Sequence, residues 1–267
     1  MPEYTLSLLF WIAPVSAMGV FLHEKKLLKP VQAQALAINL AVFTCIGFLL
    51  DLLCAQRFFR FPNPAMTLGI TIRNIPVEEF IFYLFGFWFI VLLYVFNDEY
   101  FLRKYKKHDR HYVNYARRVG KVCVLFFKPR HLLIFLLVMA GCTLLKRCIN
   151  PAGPLVPEYL VFLSVSAYVP FIFFWRLTRA FVNFRALALV VVLTSLISII
   201  WEVTLALPRG YWNYNHEYML GIFMPAWSSL PVEAVTVWIF CSLIVLSYEY
   251  TKILLHRRRG RSGRAPE

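Results

Sequence analysis

Pro76-Val77-Glu78 opens one long apolar stretch of this chain, and Pro231-Val232-Glu233 opens another 155 positions later. The same offset separates Pro2-Glu3-Tyr4 from Pro157-Glu158-Tyr159, again at the head of apolar stretches. Two phrases repeated at one spacing indicate an internal duplication. Sixty per cent of the 267 residues are hydrophobic and only 16% are charged. Soluble domains hold roughly 45–50% apolar residues, so the expected solvent is a bilayer.

Crossing a hydrocarbon core of about 30 Å takes about 20 apolar residues in a helix. Seven stretches qualify, near residues 4–22, 32–54, 77–97, 131–146, 157–175, 186–207 and 231–250, the fourth being the shortest. The expected fold is an all-α integral membrane protein of about seven transmembrane helices, built as two parallel three-helix repeats with a connecting helix. An odd number of crossings per copy requires that extra helix if both copies are to point the same way. The chain is expected to form a single membrane domain (1–267). Repeat one covers 1–100, a basic cytoplasmic loop with the connecting helix covers 101–155, repeat two covers 156–250, and a basic tail covers 251–267.

Basic residues set the expected orientation, because Lys and Arg collect in cytoplasmic loops near span ends. Arg57, Arg60, Arg73, Lys146, Arg147 and Arg209 fall on one side of the layout, and the rest of the 28 Lys and Arg fall on the other. The N-terminus is therefore expected outside and the C-terminus in the cytoplasm, the membrane being the cell membrane if the protein is bacterial. The first span should stay attached, since Glu3 precedes it and no basic residue does, the reverse of a signal peptide. The net charge of +14 is accounted for by inside loops that meet anionic headgroups, without nucleic acid. Tyr105, Tyr112 and Tyr115 within the basic loop suggest an interfacial helix there.

Six cysteines are scattered without a Cys-x-x-Cys pair and read as small apolar fillers. His108-x-x-His111 sits among cations, so no metal is assigned. Three aspartates, Asp51, Asp98 and Asp109, form no Asp-x-x-Asp, so the magnesium sites that ionise a prenyl diphosphate are missing. No Gly-x-Gly-x-x-Gly marks a flavin or nicotinamide site, and no cofactor is expected.

The acids that remain gather towards one membrane face. Glu78, Glu79 and Glu233 begin spans three and seven; Asp51 closes span two and Glu202 lies in span six. Helix capping is the plain alternative for Glu78 and Glu233, with Pro at the first helical position and Ile75 and Leu230 as the caps. Neither cap residue can supply the other half of a capping box, and capping gives Glu79 no role. The loops before the two phrases also correspond, Phe59-Arg60-Phe61-Pro62 with Tyr211-Trp212-Asn213-Tyr214. Trp201, Trp212, Tyr214 and Trp227 belong to this neighbourhood, whereas Trp11, Trp88, Trp175 and Trp238 are read as lipid contacts and interfacial belt. Desolvation penalises a carboxylate anion, so an acid held among apolar groups keeps a proton to give. Aromatic faces stabilise positive charge. Acids and rings together are equipment for protonating a polyene, guiding its carbocation and removing a proton at the end.

These residues resemble the lycopene cyclase domain of the heterodimeric bacterial and fused fungal type. The resemblance rests on Trp212-x-Tyr214, Gly221 and Leu230-Pro231-Val232-Glu233, with Ile75-Pro76-Val77-Glu78-Glu79-Phe80 in the first copy, and covers nearly the whole chain. It implies an intramolecular lyase or isomerase of carotenoid biosynthesis that cyclises the linear end group of lycopene or a relative, without redox change. Glu78, Glu79, Glu233, Glu202 and Asp51 would be its catalytic residues, and Trp201, Trp212, Tyr214, Asn213, Trp227 and Phe61 would bind substrate. The partners implied are the hydrophobic isoprenoid or carotenoid substrate, the bilayer, and other carotenoid enzymes or a second copy of the chain. The second motif departs from the pattern, with Ala234 where a further glutamate is expected, and Glu202 follows Trp201 where the family often has Asp. A carotenoid hydratase, a diverged membrane terpene cyclase, and a lipophile-binding or transport protein that couples its acids to protons are the competing readings.

Overall fold

A computed structural model describes residues 2–105, 129–151 and 153–262. The proposed interfacial helix and His108-x-x-His111 lie outside the described residues, as does the end of the basic tail. Among the described residues, seven helices are long and apolar enough to cross a membrane: α1 Glu3–Glu24, α2 Pro30–Phe58, α3 Val77–Phe101, α4 Leu132–Ile149, α5 Glu158–Thr178, α6 Phe184–Arg209 and α7 Val232–Arg258. The protein is an integral membrane protein. Its helices outrun several of the sequence-derived spans because hydropathy stops at the first charges, whereas backbone hydrogen bonding propagates through them. The seventh span, expected to end near residue 250, continues to Arg258 for that reason.

α3 and α7 form the middle of the bundle. α3 packs on α1 and α2, and the second half of α7 packs on α2 and α5. α4 stands at the periphery, with only 6% of its apolar window buried. Its last turn fixes it: the buried Lys146 donates to the Glu217 carbonyl at 2.9 Å, and Asn150 donates to the His216 carbonyl at 2.9 Å. Gly221 is needed at that contact, since its φ is +103° and a Cβ there would lie 2.6 Å from the Asn150 side chain.

Short strands join the helices at one end. β1 (Phe59–Arg60) pairs antiparallel with β4 (Asn213–Tyr214), while β2 (Thr71–Ile72) with β3 (Ile75–Pro76) and β5 (Phe223–Met224) with β6 (Leu230–Pro231) form two hairpins. Arg73 and Asn74 turn the first hairpin with φ of 50° and 60°, and Ser228 and Ser229, 155 positions on, turn the second with 54° and 58°. Two consecutive left-handed residues match the right-handed twist of the flanking strands. Helices α3 and α7 therefore start at Val77 and Val232 behind Pro76 and Pro231. Ile75 and Leu230 are strand residues, not caps.

The halves are related by reciprocal contacts. Arg57 at the end of α2 binds Glu158 at the start of α5, Nη2 to Oε1 2.8 Å, and Arg209 at the end of α6 faces Glu3 at the start of α1 at 3.4 Å. In the β1–β4 ladder, which joins the two halves, Phe59 pairs with Tyr214 and Arg60 with Asn213. Exchange of the halves turns the Arg57–Glu158 contact into the Arg209–Glu3 contact, as a pseudo-twofold relation requires.

Buried charges hold the end of the bundle opposite the hairpins. Lys252 is paired with Glu249 at 2.8 Å, Asn183 donates to Asp98 at 3.0 Å, and Gln32 donates to Glu99. Buried ionic groups are tolerated in such a place when they are paired and hydrogen-bonded.

Candidate active site

A cavity lies beneath the β1–β4 ladder, between the two halves. The space among its side chains, its open mouth included, is about 780 Å³. Asp51, Glu79 and Glu202 line it together with Phe61, Phe82, Tyr83, Tyr159, Trp212, Tyr214 and Trp238.

Local backbone irregularity aims two of these acids. α2 widens into a π-helical turn over Asp51–Ala55, and α6 does so over Glu202–Ala206. Such turns insert a residue into an α-helix and recur at functional sites. In each half an acid begins the widened turn and an alanine ends it, so the carboxylate is rotated inward while the helix continues. Glu79 reaches the cavity from the first turn of α3.

Glu79 and Glu202 have their own donors. Tyr4 donates to Glu79 Oε1 at 2.7 Å. Tyr83 lines the cavity together with Asp51. Glu202 is the most fully surrounded: Tyr214 donates to one oxygen, Trp238 Nε1 lies 3.4 Å from the other, and the Trp212 indole N–H is also directed at it. Burial, reinforced by the Glu202 carboxylate, holds the Tyr214 phenol well above its ordinary range, so it remains a donor.

Glu78 and Glu233 are placed differently. Glu78 is fully buried, its Oε1 accepting from the Leu68 backbone N–H at 2.6 Å and from Thr5 Oγ1 at 2.8 Å. Glu233 accepts from the Leu220 N–H at 2.6 Å. The repeated glutamate thus ties the preceding loop to its helix in each copy, and neither lines the cavity. Trp201 stands behind the lining, stacked on Phe82 at 5.2 Å and tilted to Trp212 at 5.2 Å. Asn213 is exposed in the ladder and Trp227 is 42% exposed on its loop; neither reaches the cavity.

Trp238 and Trp11, read from sequence as lipid and belt residues, are placed otherwise: the first at the cavity, the second buried behind it. Trp238 lines the cavity and faces Glu202, and Trp11 stacks on Trp238 at 6.3 Å. Sequence reasoning also passed over Tyr4, Tyr83 and Tyr159. Their signal was the offset itself: Tyr4 corresponds to Tyr159, Tyr83 to Trp238, and Glu79 to Ala234. Tyr4 and Tyr159 stand in the repeated phrases themselves, and extending the Pro-Val-Glu phrase by a turn of helix reaches Tyr83 and Trp238. Among the described residues no group of three or more His, Cys, Asp or Glu is placed to hold a metal ion.

The fold and site define a polytopic membrane protein with an apolar, ring-lined cavity that holds carboxyl groups. A family model described as lycopene cyclase matches residues 2–106 and 158–253, and the chain belongs to that family. Its two matched stretches are the halves opened by the repeated Pro-Glu-Tyr phrases. Membership supports a cyclase-type enzyme of carotenoid biosynthesis. Among curated proteins and solved structures, none matches the chain.

Proposed function

We propose that this protein cyclises the linear end group of lycopene, or of a closely related polyene, by acid-initiated and redox-neutral isomerisation. Glu79 gives its proton to the terminal alkene. The resulting tertiary cation is attacked by the internal alkene, closing a six-membered ring, and the new cation loses a ring proton to Glu202. Transfer of that proton back to Glu79 restores the enzyme, so no atom is gained or lost.

The observation that carries this reading is the convergence of Glu79, Asp51 and Glu202 on one aromatic cavity that both halves build. Glu79 meets a single side-chain donor, Tyr4, and shares the cavity with the carboxyl groups of Asp51 and Glu202. Glu202 accepts from Tyr214 and Trp238, two donors that would steady it as the acceptor of the ring proton. Trp212, Trp238 and Phe82 offer ring faces to the intervening cation. Trp238, equivalent to Tyr83 by repeat, positions Glu202. Glu78 and Glu233 hold the loops that carry the roof. The two copies are parallel repeats about an axis along the membrane normal, with the boundaries given by the sequence, and the hairpin end faces outward.

Expression in a bacterial host that accumulates lycopene tests the proposal. The expected pigments are isomers of lycopene at unchanged mass, absent from the Glu79→Gln strain. A product heavier by one water would make the protein a hydratase. Unaltered lycopene beside well-folded protein would refute cyclisation of this substrate.

A further inference from the structure

The cavity has a roof at one end and small residues at the other. Phe59 and Tyr214 of the β1–β4 ladder, with Phe61 and Trp212 beside them, close the hairpin end directly above the three acids. From Glu79 the lining continues down α3 through Tyr83 to Gly86 and Ile90. Gly86 is seven residues, about 10 Å, below Glu79 at 1.5 Å per residue. α3 begins at Val77, so Gly86 stands near the middle of the span.

Two features make that level open. A Cβ built on Gly86 meets nothing within 4 Å, so the bare backbone of α3 faces free space. Glycine inside a helix costs about 1 kcal/mol relative to alanine, and nothing packs against this one to require it. Its repeat counterpart across the cavity is Cys241, where α7 breaks: Val232–Phe240 ends, and the helix resumes at Leu243. A small residue thus marks the same depth in both halves.

We infer that the polyene chain adjoining the reacting end group runs inward between Gly86 and Cys241 and leaves the cavity near the bilayer midplane. The inference rests on the cyclase reading and extends it to the path of the substrate. An end group held beneath the roof must send its tail away from it, and the inward course passes a level where each helix carries a small residue. The tail then stays in hydrocarbon and never crosses the hairpin end, and a single end group occupies the composite cavity at a time. Gly86 is on this account a specificity-determining residue that admits a conjugated chain.

The test uses Glu79→Gln in the full chain, which should retain unreacted lycopene, and measures pigment per protein by absorbance after purification. Adding Gly86→Leu should lower the load by at least about tenfold, and Gly86→Ala should lower it less. Gly141→Leu is the control, because Gly141 also has nothing within 4 Å and is exposed on peripheral α4; its load should be unchanged. Matching thermal unfolding would show that Gly86→Leu folds. A full load in Gly86→Leu, or a loss equal to that of the control, overturns the path, and a Glu79→Gln protein that holds no lycopene overturns it too. Conversion by the unaltered enzyme is scored separately: lycopene held past Gly86 but never isomerised refutes the reaction and leaves the path standing.

Discussion

Glu78 and Glu79 are neighbours in sequence with separate duties. The Glu78 carboxyl accepts the Leu68 backbone N–H and the Thr5 hydroxyl, whereas Glu79 opens into the cavity. A glutamine can still accept from Leu68 through its amide oxygen but has no acidic proton to give. Glu78→Gln should therefore keep most of the conversion of lycopene, while Glu79→Gln should lose at least about 10²-fold, the usual contribution of a positioned general acid. Equal losses in the two variants would contradict the division. The donors to Glu202 give a second expectation. Trp238→Phe keeps a ring over the cavity and removes the N–H that faces Glu202, so turnover should fall while lycopene retained per protein stays unchanged. A parallel fall in retention would show that Trp238 serves binding alone. The sequence exposed the acids because charges are conspicuous in apolar spans. It hid Tyr83 and Trp238 because a ring in a span looks the same whether it meets lipid or a carboxylate.

At the level of elements, the hairpins and widened turns decide where the acids point. The Pro-Val-Glu phrase was legible as a helix start, but the hairpin in front of it was not. Its turn residues, Arg73-Asn74 and Ser228-Ser229, lack the Asn-Gly or Asp-Gly pairs that announce such turns. The π-helical turns were equally silent, since hydropathy is blind to one inserted residue. Asn74 holds φ at 60°, which asparagine tolerates and a β-branched residue does not. Asn74→Val should cost about 1–3 kcal/mol, read as a lower midpoint of thermal unfolding, and Asn74→Gly should cost nothing. Helix packing supplies a sharper case. A Cβ on Gly47 of α2 would meet Phe87 at 3.1 Å and Tyr83 at 3.3 Å, so Gly47→Leu must push α3 and Tyr83 out of place. Overpacking of this kind costs about 1–3 kcal/mol, and conversion should fall with it. Unchanged stability and activity would mean that α2 yields freely at this contact.

Across the whole molecule, seven spans and a duplication were readable because the bilayer imposes length and apolarity on every helix, and because one offset recurs in two phrases. How the copies meet was not readable, since it depends on contacts such as Arg57 with Glu158 and Phe59 with Tyr214 that no local pattern reveals. Those contacts have a consequence for the origin of activity. The first half supplies Asp51, Glu79 and Tyr83 to the cavity, and the second supplies Glu202, Trp212, Tyr214 and Trp238. Ala234, standing opposite Glu79 in the repeat, leaves the second half without its own version of that acid. Neither half alone can therefore hold both an acid like Glu79 and the Glu202 cluster. Cutting the chain between Tyr105 and Pro129 removes one covalent link but none of the contacts among the cavity residues, and α7 would still pack along α2 of the other piece. The two pieces produced together in a lycopene-accumulating host should yield cyclised pigment, and each produced alone should yield none. Cyclised pigment from a single piece would show that one copy suffices, and the composite cavity would then have to be abandoned as the seat of the reaction.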